Sequence, residues 1–388
     1  MSHYPKHKKP LALRVFVAAA LLPLATSAAD ITWTGTSGND FAAPANWSSG
    51  VRPGPSDTVR IDKASGLANG KNARLDQSLR IRSLTIDLPV YTLAATRSRT
   101  LSLEALVIGP KFAAGSIVFD GGRTPRLTIG FSPEIALRNE GGGAAGFGAA
   151  FLVGDGAATF DGPGNWSFAH NSGITRTPGK TLALHLAPSF SGNLQYAAKA
   201  PLSVDSLIID GGTLTLARNA ALTSVAPVRV NSGGALRGIG EIDADVLVAG
   251  GALLPGQSRR TPGQLALRGN LTLDSNAPGT RLVFRVAAAA NDILQALSPG
   301  AGQTLALGGI LSIQIASDTT KTAGARDRWV LLGDFSETRG HFTRVELTGA
   351  VESLLIRAPD SSLWRASGPG DRSWTFDEVS GILTTTIP

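Results

Sequence analysis

The 388-residue chain contains no cysteine, one methionine and three tyrosines. Without cysteine it can form no disulfide, offer no thiolate to a metal, use no cysteine nucleophile and carry no lipid on an acylated cysteine. Charged side chains are sparse, at 17% of the chain. No apolar stretch reaches the ~18–20 residues needed to span a bilayer as a helix. A helical period is missing as well. The apolar runs are short and end at Gly, Asn, Asp or Pro, which is how strands and turns are punctuated. Disorder is excluded from the other side, because 43% of the residues are hydrophobic and fall in short alternating runs.

What the chain has in excess is glycine, 46 residues of it, and a formal charge of +7. The charge does not point to nucleic acid. Lys6, Lys8, Lys9 and Arg14 sit in the first 29 residues, which hold no acid, so four of the seven excess charges belong to that segment. The remaining Arg and Lys are scattered rather than gathered into a stripe with interleaved aromatics, and no nucleic-acid partner is expected. Residues 1–29 read as a secretory signal peptide. A basic start precedes the apolar run Val15–Leu24, and the small residues Thr26, Ser27, Ala28 and Ala29 suit cleavage before Asp30. The expected location is therefore extracellular or at the cell surface, with the periplasm also open, and no integral membrane segment is expected in the mature chain.

From residue 76 onward strands of four to seven residues follow one another closely, as in Leu79–Ile86, Leu101–Ile108 and Leu182–Leu186. Between residues 205 and 255 the same unit recurs three times. "LIIDGGTLTLA", "VRVNSGGALRG" and "VLVAGGALLPG" each join a β-branched run, a glycine pair and a Leu two residues on. The pairs begin at Gly211, Gly233 and Gly250, 22 and 17 residues apart. A period near twenty made of strand, glycine turn and strand is what a β-solenoid coil requires. One coil cannot bury its own apolar face, whereas stacked coils bury theirs against each other. Glycine then serves where the chain turns with positive φ or where neighbouring coils leave no room for Cβ. A β-sandwich or barrel would also give many short strands, but without the recurring glycine pairs. Residues 140–200 lose the spacing and read as a protruding loop or irregular coils, and Ala287–Leu297 reads as a possible short helix.

The stretch Val228 to Leu347 resembles the autotransporter-associated β-strand repeat of secreted Gram-negative proteins. The residues that carry the likeness are "VNSGGALRGIGEIDADVLVAGGALLPGQSRRTPGQLALRGNLTLD" with Pro255-Gly256, Pro262-Gly263 and Gly269, then Asp292 followed by "LALGGILSIQI", and finally "RWVLLGDFSETRGHFTRVEL". The opening "WTGTSGNDFAAPANWSSGVRPGPSD" resembles the segment that begins such proteins, and together about half the chain is covered. The resemblance implies a right-handed parallel β-helix and roles in display, adhesion and matrix building. It departs from a true autotransporter at "SWTFDEVSGILTTTIP", which leaves no room for the amphipathic strands of a membrane barrel.

Chemistry is harder to find. No G-x-S-x-G occurs, and Gly35-Thr36-Ser37-Gly38 reads as a turn. His170, His185 and His341 are not paired at ligand spacing. Gly173 and Gly179-Lys180-Thr181 approach a phosphate loop, but five residues intervene where four are needed and Pro178 interrupts the donors. Asp120 and Asp210, each before a glycine pair, offer one carboxylate apiece where Ca²⁺ wants six to eight oxygens. Glu241, Asp243 and Asp245 alternate and share a strand face, where like charges repel and a solvated face is the simpler reading. Trp47 and Trp166, each in an "NWS" triplet, could stack on sugar rings or else close an open end of the core.

The sequence thus leads to an all-β, right-handed parallel β-helix (β-solenoid) with capping β-rich ends. Residues 1–29 would be the signal peptide, 30–75 a turn-rich cap, 76–285 the solenoid repeats and 286–388 a β-rich region continuing or capping it. The expected function is that of an exported, non-enzymatic structural or adhesin-like protein. Its partners would be cell-surface polysaccharide or other surface proteins, and no catalytic, cofactor-binding or metal-binding residue is assigned. A polysaccharide-binding or polysaccharide-cleaving β-helix is the alternative.

Overall fold

The computed structural model describes residues 28–62, 72–112, 116–120, 127–256, 262–288, 290–297, 302–317, 319, 326–368 and 372–386. The expected signal sequence, apart from Ala28 and Ala29, lies outside them. The fold is all-β and largely parallel. Its described elements are 41 strands and one 3-10 turn at Pro44–Asn46. No described helix is long and apolar enough to cross a membrane.

Strand formation follows from alternation. Glu134–Asn139 and Leu182–Leu186 turn Ile135, Leu137, Leu182, Leu184 and Leu186 inward while the residues between them face out. A period of two makes one face apolar and leaves the other to solvent. Most strands then pair in parallel with those three places before and after them in the chain, so successive strands fall on different sheets. Thirteen strands, from Asp30–Thr32 to Glu337–Gly340, build the longest wholly parallel sheet. Parallel neighbours need a long crossover rather than a tight hairpin. Here every crossover after the first is made of strands belonging to the other sheets.

Register explains the glycine pairs. Gly212 lies opposite Gly234, and Ala235 opposite Ala252, so the 22- and 17-residue intervals are distances between stacked strands. Gly212 has φ +60, and a Cβ there would sit 2.5 Å from the Phe190 ring. At Gly234 a Cβ would fall 2.2 Å from the Ile209 carbonyl oxygen. Both reasons for glycine, conformation and closeness, therefore operate within one column.

The core is one continuous apolar cluster, and part of it is a column of rings. Phe119, Phe147, Phe168 and Tyr196 are register partners on successive parallel strands. Their centroids lie 5.0, 4.4 and 6.0 Å apart. The stretch 140–200 is no protruding loop. Ala144–Phe147, Ala150–Gly154, Gly156–Asp161, Asn165–Phe168, Gly173–Arg176, Leu182–Leu186 and Asn193–Tyr196 all join the parallel ladders. Turns of unequal length between them blur the spacing in sequence while the register is kept. The helix expected over Ala287–Leu297 is likewise replaced. The chain reverses between Val286 and Asn291, and Ile293–Ala296 runs as a strand beside Gln264–Leu267. Leu294 and Ala296 point inward there, a strand period that outweighs the helix preference of the preceding alanines.

Each extremity of the long sheet has its own aromatic structure. Beside Asp30–Thr32, Trp33, Phe41 and Trp47 pack with centroids 4.9–5.4 Å apart. At the other extremity pairing becomes antiparallel through Arg344–Gly349, Ser353–Arg357, Leu363–Ser367, Ser373–Asp377, Ile382–Thr386 and Arg326–Val330. The inner side of this sheet buries Leu355, Trp364, Trp374, Phe376 and Leu383.

Candidate functional site

A five-stranded parallel sheet carries an open concavity on the flank of the molecule. Its strands are Leu79–Arg80, Arg99–Ser102, Leu127–Phe131, Ala150–Gly154 and Gly173–Arg176. Register brings Arg80, Ser102, Gly130, Val153 and Thr175 into one outward row. Thr100, Thr128 and Phe151 form the neighbouring row. The open trough between them has a volume of about 370 Å³, and Glu104, Ser132 and Thr177 stand around it.

Gly130 shapes the floor. A Cβ at this position would approach Thr100 Cγ2 to 3.1 Å and Ser102 Oγ to 3.4 Å, so the row dips where a side chain would crowd both neighbours. Five of the eleven lining residues, Thr100, Ser102, Thr128, Ser132 and Thr177, carry hydroxyls, and Thr100 and Thr128 are neighbours across the ~4.8 Å between parallel strands. Hydroxyls both donate and accept, and such a group matches a polymer of repeated hydroxyl groups better than it matches a compact charged metabolite. The carboxylate of Glu104 lies 3.8 Å from the Arg82 guanidinium.

The residues singled out in the sequence do not converge on this trough. Trp47 and Trp166 are buried, at 3% and 0% exposure, which rules out the sugar-stacking role and leaves both in the core. Glu241 pairs with Arg268, while Asp245 accepts from the backbone and side-chain nitrogens of Asn270 at 2.7 and 3.1 Å. Arg268, in the turn after Gln264–Leu267, therefore partly neutralises these acids. His185 meets Asp210 at 2.7 Å through Nε2, and Asn231 donates to the other oxygen of Asp210 at 2.7 Å. His341 lies elsewhere, 2.7 Å from the buried Glu378, and His170 is exposed apart from both. Lys180 sits 3.5 Å from Asp155 at a turn. Among the described residues no three His, Asp or Glu side chains could hold a metal ion together. The glycines after Asp120 lie outside the described residues.

Buried carboxylates elsewhere hold the chain together. Asp87 is desolvated, which favours its neutral form, but hydrogen bonds and charge from Lys111, helped by Arg60, prevail and hold it below the usual aspartate range. Asp161 is lowered chiefly by the Ser189 hydroxyl, against the cost of burial and with Gly162 N–H and Arg138 assisting. Asp292 behaves oppositely. Burial pushes its carboxyl up to about 6, although Gly263 and Arg285 donate backbone N–H groups to it at 3.0 and 2.9 Å.

The trough escapes sequence reading because its residues are ordinary outward Thr and Ser drawn from several strands and the turns beside them. The usable signal is Thr-x-Ser in "RTLS" followed 28 residues later by Thr-x-Gly in "LTIGF", an alternation that faces solvent. Comparison of the chain with protein families, curated proteins and solved structures found no match.

Proposed function

We propose that the chain is an exported β-solenoid that acts without catalysis, as a structural and surface-interaction scaffold offering its flank trough to polysaccharide or to other surface proteins. The observation that carries this reading is the thirteen-strand parallel ladder, with sheets on other sides repeating the same three-strand offset. Such an offset is what stacked coils produce, and each coil then presents equivalent outward positions in straight rows. A right-handed winding is the sense that parallel crossovers adopt almost without exception. The aromatic cluster around Trp33 and the antiparallel sheet ending at Thr386 would serve as the two caps, keeping coil edges from pairing with other chains.

The lining of the trough favours holding a ligand over transforming it. Hydroxyls outnumber titratable groups, and Glu104 faces Arg82 rather than a second acid at the separation that glycoside hydrolysis requires. Export rests on the basic and apolar composition of residues 1–29. The test is fractionation of the producing cell with mass spectrometry of the N-terminus. A chain beginning at Asp30 outside the cytoplasm is expected. Full-length protein retained in the cytoplasm would contradict the reading.

A further inference from the structure

The outer face of the C-terminal antiparallel sheet differs from every other face of the molecule. Antiparallel register sets Ile356, Arg365, Thr375, Thr384 and Arg328 in a single row across five strands. Ser373 and Thr386 share the adjacent row, beside Ser367 and Leu354. Leu354 and Ile356 are 54% and 74% exposed, and among the described residues no other Leu or Ile is so open. With Ser353, Arg365, Ser367 and Thr375 they line an open depression of about 690 Å³.

Among the described residues, two arginines of this face have no acidic partner. Some arginines of the molecule are matched with acids, as in Arg138 with Glu140 and Asp161, and Arg176 with Asp205. Among the described residues neither Arg365 nor Arg328 has a carboxylate within ion-pair range. The nearby acids are already engaged. Glu346 is 2.8 Å from Arg344, and Asp377 accepts from Ser362, Ser380 and the Val379 N–H. Among the described residues, two guanidinium groups without an acidic partner therefore stand on a hydroxyl-bearing face beside exposed aliphatic side chains.

We propose that this face binds an extended anionic polysaccharide, one that bears carboxylate or sulfate groups. The guanidinium forks of Arg365 and Arg328 match such oxyanions in bidentate geometry. Three strand spacings separate the two, roughly 14 Å at ~4.8 Å each, so a single chain lying across the strands reaches both. Thr375 and Thr384 lie between them to meet sugar hydroxyls, and the C–H faces of the sugar rings cover Ile356 and Leu354. A nucleic acid fits less well, because Trp364 and Trp374 point into the core and the face offers no aromatic platform for bases. This site deepens the surface-interaction reading and rests on it.

The experiment is calorimetric titration of the purified protein with polygalacturonate, with neutral dextran and with a single-stranded oligonucleotide, at low and at physiological salt. Polygalacturonate should bind in a salt-sensitive manner and dextran roughly tenfold more weakly. Arg365→Gln and Arg328→Gln should each weaken polygalacturonate roughly tenfold, the loss of one charge-assisted hydrogen-bonding group. Arg365→Lys should bind between the native protein and Arg365→Gln, keeping the charge without the bidentate fork, and Arg229→Gln on the long parallel sheet should change nothing. Circular dichroism of each variant separates lost binding from lost folding. No binding, equal binding of dextran, tighter binding of the oligonucleotide, or indifference to the double glutamine variant would each overturn the site. Appearance of new sugar chain ends in the same solutions would instead overturn the scaffold reading and leave the site standing.

Discussion

Asp292 lies beneath a turn where Gly256 has no space for a side chain, since a Cβ there would fall 2.2 Å from the Asp292 Oδ1. Its two oxygens accept from Gly263 and Arg285, which fastens three separate segments. Because burial raises this carboxyl to about 6, the folded chain holds the proton more tightly than an unfolded chain with an ordinary value near ~3.9. The stability contributed by the neutral acid is therefore complete below the unfolded value and is lost as pH rises through about 6. Melting temperatures measured from pH 7 to pH 4 should show the native protein gaining on an Asp292→Asn variant as the solution is acidified. Parallel curves would contradict this. Glycine gives a second residue-level test. Gly212→Ala combines positive φ with a clash against Phe190, and should cost about 2–4 kcal/mol. Gly50, with φ +67 and open space around its Cβ position, should cost only about 1 kcal/mol when changed to Ala, as read by chemical denaturation.

Strands were legible because their evidence is local. Leu182–Leu186 alternates cleanly, and the glycine pairs at Gly211, Gly233 and Gly250 carry their register in their spacing. Turns were not, because nothing local fixes their length. The interval between partners is 21 residues from Ala144 to Asn165 but 28 from Trp166 to Leu194, and this hid the regularity of 140–200. At Ala287–Leu297 a run of alanines suggested helix, while the deciding interaction was pairing of Ile293–Ala296 with a distant strand. Trp166 shows the same limit from inside. Its neighbours Phe147 and Phe160, with centroids 6.4 and 5.8 Å away, come from other strands, and no triplet around Trp166 reveals them. Trp166→Ala should destabilise by about 3–5 kcal/mol through the cavity it leaves. Trp166→Phe should cost much less, since it keeps a ring and removes an indole N–H that is buried without a partner. Equal losses in urea denaturation would place Trp166 outside the core.

At the scale of the whole molecule, the long parallel ladder makes outward positions line up, and rows of modest residues become surfaces. This is why the sequence disclosed so little of the candidate site. Thr100 and Ser102 lie on one strand, Thr128 on the next and Val153 on a third, and only stacking brings them to one trough. The acids and histidines that drew attention as single residues are instead spent on neighbouring strands, as Glu241 is on Arg268 and Asp210 on His185 and Asn231. We propose that these surfaces hold ligands without transforming them. The most direct measurement incubates the purified protein with a panel of polysaccharides and follows retention and the release of reducing or unsaturated ends together. Retention of one or more polymers with no new chain ends is the expected result, and release of such ends would contradict it.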